Sequence, residues 1–150
     1  MKPCVIFDLD GTLADTSADM IAAANAVLGE MDVPVRLDPA QDAAIGLRGG
    51  RRMLTEGLTR AGAYDGDEVA RWYPRFLEVY GNALVGETRF YPGALEVVEG
   101  LRQDGYGVGI CTNKPEALAE ALMQELGARS LFDCLVGADT LAVKKPDPAP

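Results

Sequence analysis

Two carboxylates and a hydroxyl follow a short apolar run near the start of the chain, in the segment Asp8-Leu9-Asp10-Gly11-Thr12. Carboxylates placed close together after a buried strand repel each other and hold their protons more tightly, unless a cation or donor groups compensate the charge. A hard divalent cation beside an anionic substrate would supply that compensation. The segment therefore predicts phosphoryl transfer through an aspartate.

The spacing of Asp8 and Asp10 would let the two carboxyl groups act on one substrate in different roles. Side chains two residues apart lie on the same side of an extended chain, so both carboxyl groups can face one substrate. Asp8 is the predicted nucleophile, which would form an acyl phosphate. Asp10 is the predicted general acid and base, and Gly11 would let the neighbouring amides turn toward the phosphate. The alternatives are a turn or helix-cap role for Asp8 and a solvated turn role for Asp10.

Three short apolar segments are expected to position this chemistry as strands. They are Cys4 to Asp8, Tyr106 to Cys111, and Cys134 to Val136. Amphipathic helices are predicted between Tyr91-Pro92-Gly93 and Gly105 and from Pro115 to Gly127. Alternation of strand and helix is typical of an α/β fold, so we expect a Rossmann-like parallel sheet with flanking helices.

Residues 15–83 carry helical periodicity and no strand pattern, so an inserted, small all-helical domain is predicted there. Apolar residues recur at three- and four-residue steps from Met20 to Met31, and again around Leu54 and Phe76. Pro74 falls inside the third predicted helix, where a kink or two shorter pieces are expected. The α/β domain would then comprise residues 1–14 and 84–150.

Two further positions after predicted strands are candidates for binding an anion. Thr112 follows the second strand and precedes a helix, where a hydroxyl and helix amides could hold phosphate, although a plain N-cap explains it equally well. Lys145, before Pro146, would hold the aspartate and phosphate charges together, with Lys144 as the competing candidate. A solvated loop lysine is the alternative for either.

An arginine cluster lies at a glycine-rich break in the helical insert, in Gly46-Leu47-Arg48-Gly49-Gly50-Arg51-Arg52. One of these side chains could reach a carboxylate or another distal anion on a substrate. A solvated cluster at a helix start is the favoured alternative.

Bulk composition narrows the class of function. The net charge is −9 in 150 residues, which argues against binding nucleic acid through a basic surface. Histidine is absent, which excludes histidine-based catalysis. We expect Cys4, Cys111 and Cys134 to be buried thiols in the core. With no signal-peptide or membrane-helix pattern, a cytoplasmic protein without a membrane partner is expected, as a monomer or homodimer.

Taken in order, three sets of residues resemble the haloacid-dehalogenase-like hydrolase superfamily. They are Asp8 to Thr12, Thr112-Asn113 and Lys145-Pro146. Their detail, with Tyr91-Pro92-Gly93 and Cys111 to Pro115, is similar to the phosphoglycolate phosphatase branch, whose small helical cap the insert resembles.

The resemblance implies a Mg²⁺-dependent phosphatase acting on a small phosphorylated metabolite, phosphoglycolate being the leading candidate. A side-chain oxygen of Asp8 and the backbone carbonyl of Asp10 would bind the metal. Catalysis would rest on Asp8, Asp10, Thr112 and Lys145. The positions expected to bind substrate or phosphate are Leu9, Asp10, Gly11, Thr112, Asn113, Lys145, Arg48 and Arg51.

Other functions remain compatible with these residues. A sugar-phosphate mutase of the same superfamily shares the motifs, and a truncated, non-catalytic phosphate-binding or interaction module is the alternative of a different class. Members of the superfamily continue beyond the third motif with a strand and an acidic loop that completes the metal site. We therefore expect the C-terminal part of the α/β core to be missing from the 150 residues, which end at Pro150.

Overall fold

The computed structural model describes residues 3–150, which form two compact units. One unit combines residues 3–15 with 89–150, and the other is Thr16–Thr88. The first is an α/β unit and the second is entirely helical. A role of the helical unit as a cap stays a prediction.

A three-stranded parallel sheet forms the centre of the α/β unit. Its strands are β1 (Cys4–Phe7), β4 (Gly107–Cys111) and β5 (Cys134–Val136), in the order β1-β4-β5. Val5 is opposite Val108, and Ile110 is opposite Leu135. Helix α5 (Ala94–Gln103) precedes β4, and α6 (Glu116–Glu125) with a 3₁₀ turn (Arg129–Leu131) precedes β5. The predicted α/β class and the three predicted strands are confirmed.

The two faces of this sheet differ in their cover. Right-handed crossovers from β1 to β4 and from β4 to β5 place α5 and α6 on the same face, where Val108 and Ile110 are buried. On the opposite face Ile6 is 51% exposed. Its side chain and that of Cys134 lie over Gly109, where a Cβ would come within 2.9 Å and 2.5 Å of them, respectively.

The prediction that the cysteines are buried is therefore wrong. Cys4 and Cys134 are exposed and Cys111 is partly exposed. An apolar strand signals burial only if both faces of its sheet are covered. Within residues 3–150, helices α5 and α6 cover the face that carries Val108 and Ile110, and the cysteines lie on the other face.

A short antiparallel ribbon of β2 (Ala14–Asp15) and β3 (Arg89–Phe90) stands where the chain leaves and re-enters the α/β unit. Ala14 pairs with Phe90, and Asp15 pairs with Arg89. The sequence did not predict this ribbon, because strands of two residues carry no periodicity.

The helical unit contains α1 (Ser17–Glu30), α2 (Ala43–Gly46), α3 (Gly50–Arg60) and α4 (Gly66–Gly81). Its core includes Leu28, Met53 and Leu54, which have no exposed surface. Helix α4 continues through Pro74 as one helix rather than as two pieces. Its buried residues Val69, Phe76 and Tyr80 hold it in the unit and outweigh the hydrogen bond that proline lacks.

Candidate functional site

The predicted catalytic residues of the α/β unit follow the carboxyl ends of its three strands. Asp8 comes directly after β1, Thr112 directly after β4, and Lys145 in the loop beyond β5. The carboxyl ends of parallel strands lie at one edge of a sheet, which is where ligands bind in open α/β folds. The topology therefore brings Asp8 to the same edge as Thr112 and Lys145, which follow it by more than one hundred residues.

Lys145 joins the three strand-end loops through its hydrogen bonds. Its Nζ lies 3.0 Å from Asp8 Oδ1 and donates to the carbonyl of Cys111 at 2.8 Å. The carbonyl of Lys145 accepts a hydrogen bond of 3.1 Å from Asn113 Nδ2. The lysine that contacts Asp8 is thus Lys145, whereas Lys144 is exposed.

Asp10 contacts a lysine for which no role was predicted from the sequence. Lys114 Nζ lies 3.0 Å from Asp10 Oδ1, and the side chains are only 3% and 14% exposed. By contrast, the side chains of Lys145 and Asp8 are 33% and 44% exposed. Lys114 directly follows Thr112-Asn113 and precedes Pro115. Its position between a predicted strand and a predicted helix start is the sequence feature that could have marked it as a site residue.

The loop after β1 folds into a tight turn around the carbonyl of Leu9. This oxygen accepts from the amides of Thr12, Leu13 and Ala14, at 3.0–3.2 Å. Gly11 has φ = 78°, a conformation that strongly favours glycine, and its amide donates to Ala14 O at 2.9 Å.

Two amides expected to face a phosphate are thus engaged within the loop. The Gly11 amide bonds to Ala14, and the amide of Leu9 donates to Asp8 Oδ1 at 2.7 Å. Leu9 itself is fully buried and anchors the turn. Gly11 closes the turn, and its predicted binding of phosphate stays a prediction.

Thr112 is a buried residue between β4 and β5. It is 2% exposed, its amide donates to Val136 O at 2.9 Å, and its hydroxyl accepts from the amide of Lys114 at 3.1 Å. Helix α6 begins four residues later, so Thr112 is not its N-cap.

The N-terminus of α6 is occupied by a carboxylate of the protein itself. Asp139 Oδ1 accepts from the amide of Glu116 at 2.8 Å. Gly137, two residues before Asp139, approaches so closely that a Cβ there would overlap the backbone of Glu116. The expectation of helix amides open to a phosphate beside Thr112 is thus not met at Glu116, because a loop distant in sequence caps the helix. The sequence around Asp139 carries no pattern that predicts a helix-capping role for this residue.

Arg48 and Arg51 belong to the helical unit. Arg48 is exposed, and the Arg51 guanidinium lies 4.0 Å from the centre of the Tyr73 ring, a cation–π contact. Arg52 pairs with Glu56 at 3.9 Å. Substrate binding by Arg48 or Arg51 stays a prediction.

Tyr91, from the Tyr91-Pro92-Gly93 segment, fastens the re-entering chain to the turn after β1. Its amide donates to Leu13 O at 2.9 Å. Burial, followed by the negative charge of Asp15, raises the pKa of the Tyr91 hydroxyl. Tyr91 is therefore a neutral side chain at physiological pH.

The donor set at this edge fits Mg²⁺ in its chemistry. Mg²⁺ takes oxygen ligands and keeps several waters, so it needs one or two protein carboxylates. Asp8 offers a carboxylate oxygen and Asp10 a backbone carbonyl oxygen within a single loop. Among residues 3–150 no three or more histidine, cysteine or acidic side chains are grouped so that they could hold a metal ion.

Comparison with known proteins gives the class of this molecule. The haloacid dehalogenase-like hydrolase family matches residues 5–150. The chain belongs to this family, and the predicted superfamily is confirmed.

Within the family, the chain is similar to phosphoglycolate phosphatases. It is 39% identical to the phosphoglycolate phosphatase of Rhodospirillum rubrum, with 100% of this chain aligned to 64% of that protein. It is 36% identical to the enzyme of that name from Agrobacterium fabrum, with 98% of this chain aligned to 63% of the relative. The chain thus spans just under two thirds of the length of these two relatives.

A solved structure shares the fold. The crystal structure of a predicted phosphoglycolate phosphatase from Haemophilus somnus aligns with a TM-score of 0.84 and 27% identity. The alignment covers 99% of this chain and 68% of that chain. None of the helices in residues 3–150 has the length and apolar character needed to cross a membrane.

Proposed function

We propose that this chain carries the catalytic residues of a phosphatase that hydrolyses a small phosphorylated metabolite of the phosphoglycolate type. The observation that carries the proposal is the pairing of both loop carboxylates with lysines from other strand ends. Asp8 contacts Lys145 and Asp10 contacts Lys114, each at 3.0 Å. The names of the similar proteins support phosphoglycolate as the substrate.

In the first half of the proposed reaction, a carboxylate oxygen of Asp8 attacks phosphorus. The bond between phosphorus and the ester oxygen breaks as the bond to Asp8 forms, giving an aspartyl phosphate. Asp10 donates a proton to the departing alkoxide, which leaves as an alcohol. Lys145, which lies against Asp8, provides a positive charge for the transferred group.

In the second half, water replaces the enzyme at phosphorus. Asp10, now a carboxylate, takes a proton from the water as the water oxygen attacks. The bond between phosphorus and the Asp8 oxygen breaks, which releases inorganic phosphate and restores the Asp8 carboxylate. Oxygen atoms of Asp8 and Asp10 would hold Mg²⁺, which supplies positive charge to the phosphoryl oxygens when bound.

The decisive experiment measures the release of inorganic phosphate by the protein expressed from its natural gene. Phosphoglycolate, other small phosphomonoesters and p-nitrophenyl phosphate are supplied with Mg²⁺ or with a chelator. We expect Mg²⁺-dependent release, which Asp8→Asn lowers by at least about 10³-fold, since it removes the nucleophile. Asp104→Asn, a matched change at an exposed residue of the same unit, should leave the rate unchanged.

Two results would contradict the proposal. Retained turnover in Asp8→Asn would exclude the aspartyl phosphate. Return of the phosphoryl group to another position of a sugar phosphate, without release of phosphate, would favour a mutase.

A further inference from the structure

The burial of Lys114 sets it apart from the other lysine at the site. Its side chain is 3% exposed, against 33% for Lys145. An ammonium group removed from water is costly unless it is paired and hydrogen-bonded. The Asp10 carboxylate, 3.0 Å away, provides that partner.

The backbone on both sides of Lys114 is fixed as well. Its amide donates to Thr112 Oγ1 at 3.1 Å, and its carbonyl accepts from the amide of Ala138 at 2.9 Å. These bonds attach the residue to the end of β4 and to the loop after β5. The backbone of Lys114 is therefore fixed, and its side chain extends from this point, buried, to Asp10.

We propose that Lys114 is a positioning residue, which holds the Asp10 carboxyl group in the orientation needed for proton transfer to and from the substrate. The inference rests on the proposed function, in which Asp10 is the general acid and base. Proton transfer requires the carboxyl group to lie within hydrogen-bond reach of the leaving oxygen. A small displacement of the Asp10 side chain therefore lowers the rate of the reaction.

The dependence of rate on the leaving group isolates this role. An alkoxide is a poor leaving group and needs the proton from Asp10, whereas p-nitrophenolate leaves readily without it. Loss of a group that positions Asp10 therefore slows an alkyl phosphate more than an aryl phosphate. A general disturbance of the site would slow both substrates alike.

Lys114→Met removes the charge and keeps the length of the stem. We expect kcat for phosphoglycolate to fall on the order of 10- to 100-fold, with KM changed less than about threefold. For p-nitrophenyl phosphate we expect kcat to fall less than about threefold. Lys114→Arg keeps the positive charge and should give a ratio of alkyl to aryl rates between those of the unsubstituted protein and Lys114→Met. Lys144→Met, at an exposed lysine, is the control.

Each outcome decides the inference. Equal losses on both esters, or no loss on either, would overturn a positioning role for Lys114 and leave the proposed function intact. Absence of turnover by the unsubstituted protein on every ester would overturn the proposed function and this role together. If Lys114→Met does not fold, Lys114→Arg decides: a several-fold drop in the alkyl-to-aryl ratio supports the inference, and an unchanged ratio overturns it.

Discussion

The two aspartates of the loop after β1, in the α/β unit, are held differently from Asp19 in the helical unit. In the α/β unit, Asp8 and Asp10 contact the ammonium groups of lysines. In the helical unit, Asp19 of α1 accepts hydrogen bonds from the amides of residues 86–88 and from the Thr88 hydroxyl, at 2.6–3.1 Å.

The difference is the one expected between the proposed chemical role of Asp8 and Asp10 and a structural role of Asp19. Backbone amides that are fixed in place surround the Asp19 carboxylate and fasten the start of α1 to the end of the helical unit. A lysine ammonium balances charge without enclosing the carboxylate in this way. We therefore expect substitutions at the lysine-paired aspartates to change activity, and substitution of Asp19 to change stability.

The largest effect in this comparison is expected for Lys145→Met. Loss of the cation beside Asp8 should lower kcat on the order of 100-fold for alkyl and aryl phosphates alike, because the transferred group is common to both. The free energy of unfolding should change by less than about 1 kcal/mol, since ion pairs this exposed contribute little. Rate measurements and urea unfolding check both parts, with Lys144→Met as the control. A large loss of stability with normal activity in Lys145→Met would instead assign this ion pair a structural role.

Asp19→Asn should act in the opposite sense. The substitution removes a charge that several donors stabilise, so the free energy of unfolding should fall by about 2 kcal/mol, with activity of the folded protein preserved. Urea unfolding at neutral pH measures the loss. Asp67→Asn, at an exposed acid in the first turn of α4, should cost less than about 0.5 kcal/mol.

The loss at Asp19 should also depend on pH. Burial alone would raise the pKa of Asp19, but the Thr88 hydroxyl and the amides of residues 86–88 outweigh it and lower the pKa below its ordinary value of 3.8. A lowered pKa in the folded state adds stability that is complete above the ordinary value and is lost as pH falls through the folded value. The difference between Asp19→Asn and the unsubstituted protein should shrink over that acid range. A difference constant with pH would show that charge is not its cause.

The smallest effects are expected in the arginine cluster. If Arg48 or Arg51 reaches a distal anion of the substrate, alanine at either position should lower kcat/KM several-fold for phosphoglycolate and less for p-nitrophenyl phosphate. Arg51→Ala should also cost about 0.5–1 kcal/mol of stability through its contact with Tyr73. Arg52→Ala provides the control. Equal losses on both esters would assign the cluster a structural role.

Much of the fold could be predicted because its signals are local. The three strands are short apolar runs, and α1 and α3 follow helical periodicity. The β2–β3 ribbon and α2 escaped prediction, since segments of two to four residues carry too few side chains for a pattern. The exposure of Cys4 and Cys134 escaped for another reason: burial depends on which face of the sheet the helices cover.

In the candidate site, too, residues with a local sequence signal were predicted and residues defined by distant contacts were missed. The residue types that suit phosphoryl transfer at Asp8 and Asp10 were evident from their spacing, whereas Lys145 was preferred to Lys144 because of the resemblance to the family, whose lysine precedes a proline. Lys114 and Asp139 were missed, because their partners lie far away in sequence. Asp10 is more than one hundred residues from Lys114, and Glu116 is more than twenty from Asp139.

The sequence alone determined the order of strands and helices and the chemical groups that follow each strand, because both depend on local periodicity and residue type. Only the tertiary structure decided which lysine balances which aspartate and how deeply each pair is buried. Those properties depend on distances across strand ends, and parallel pairing sets them by bringing distant segments to one edge of the sheet.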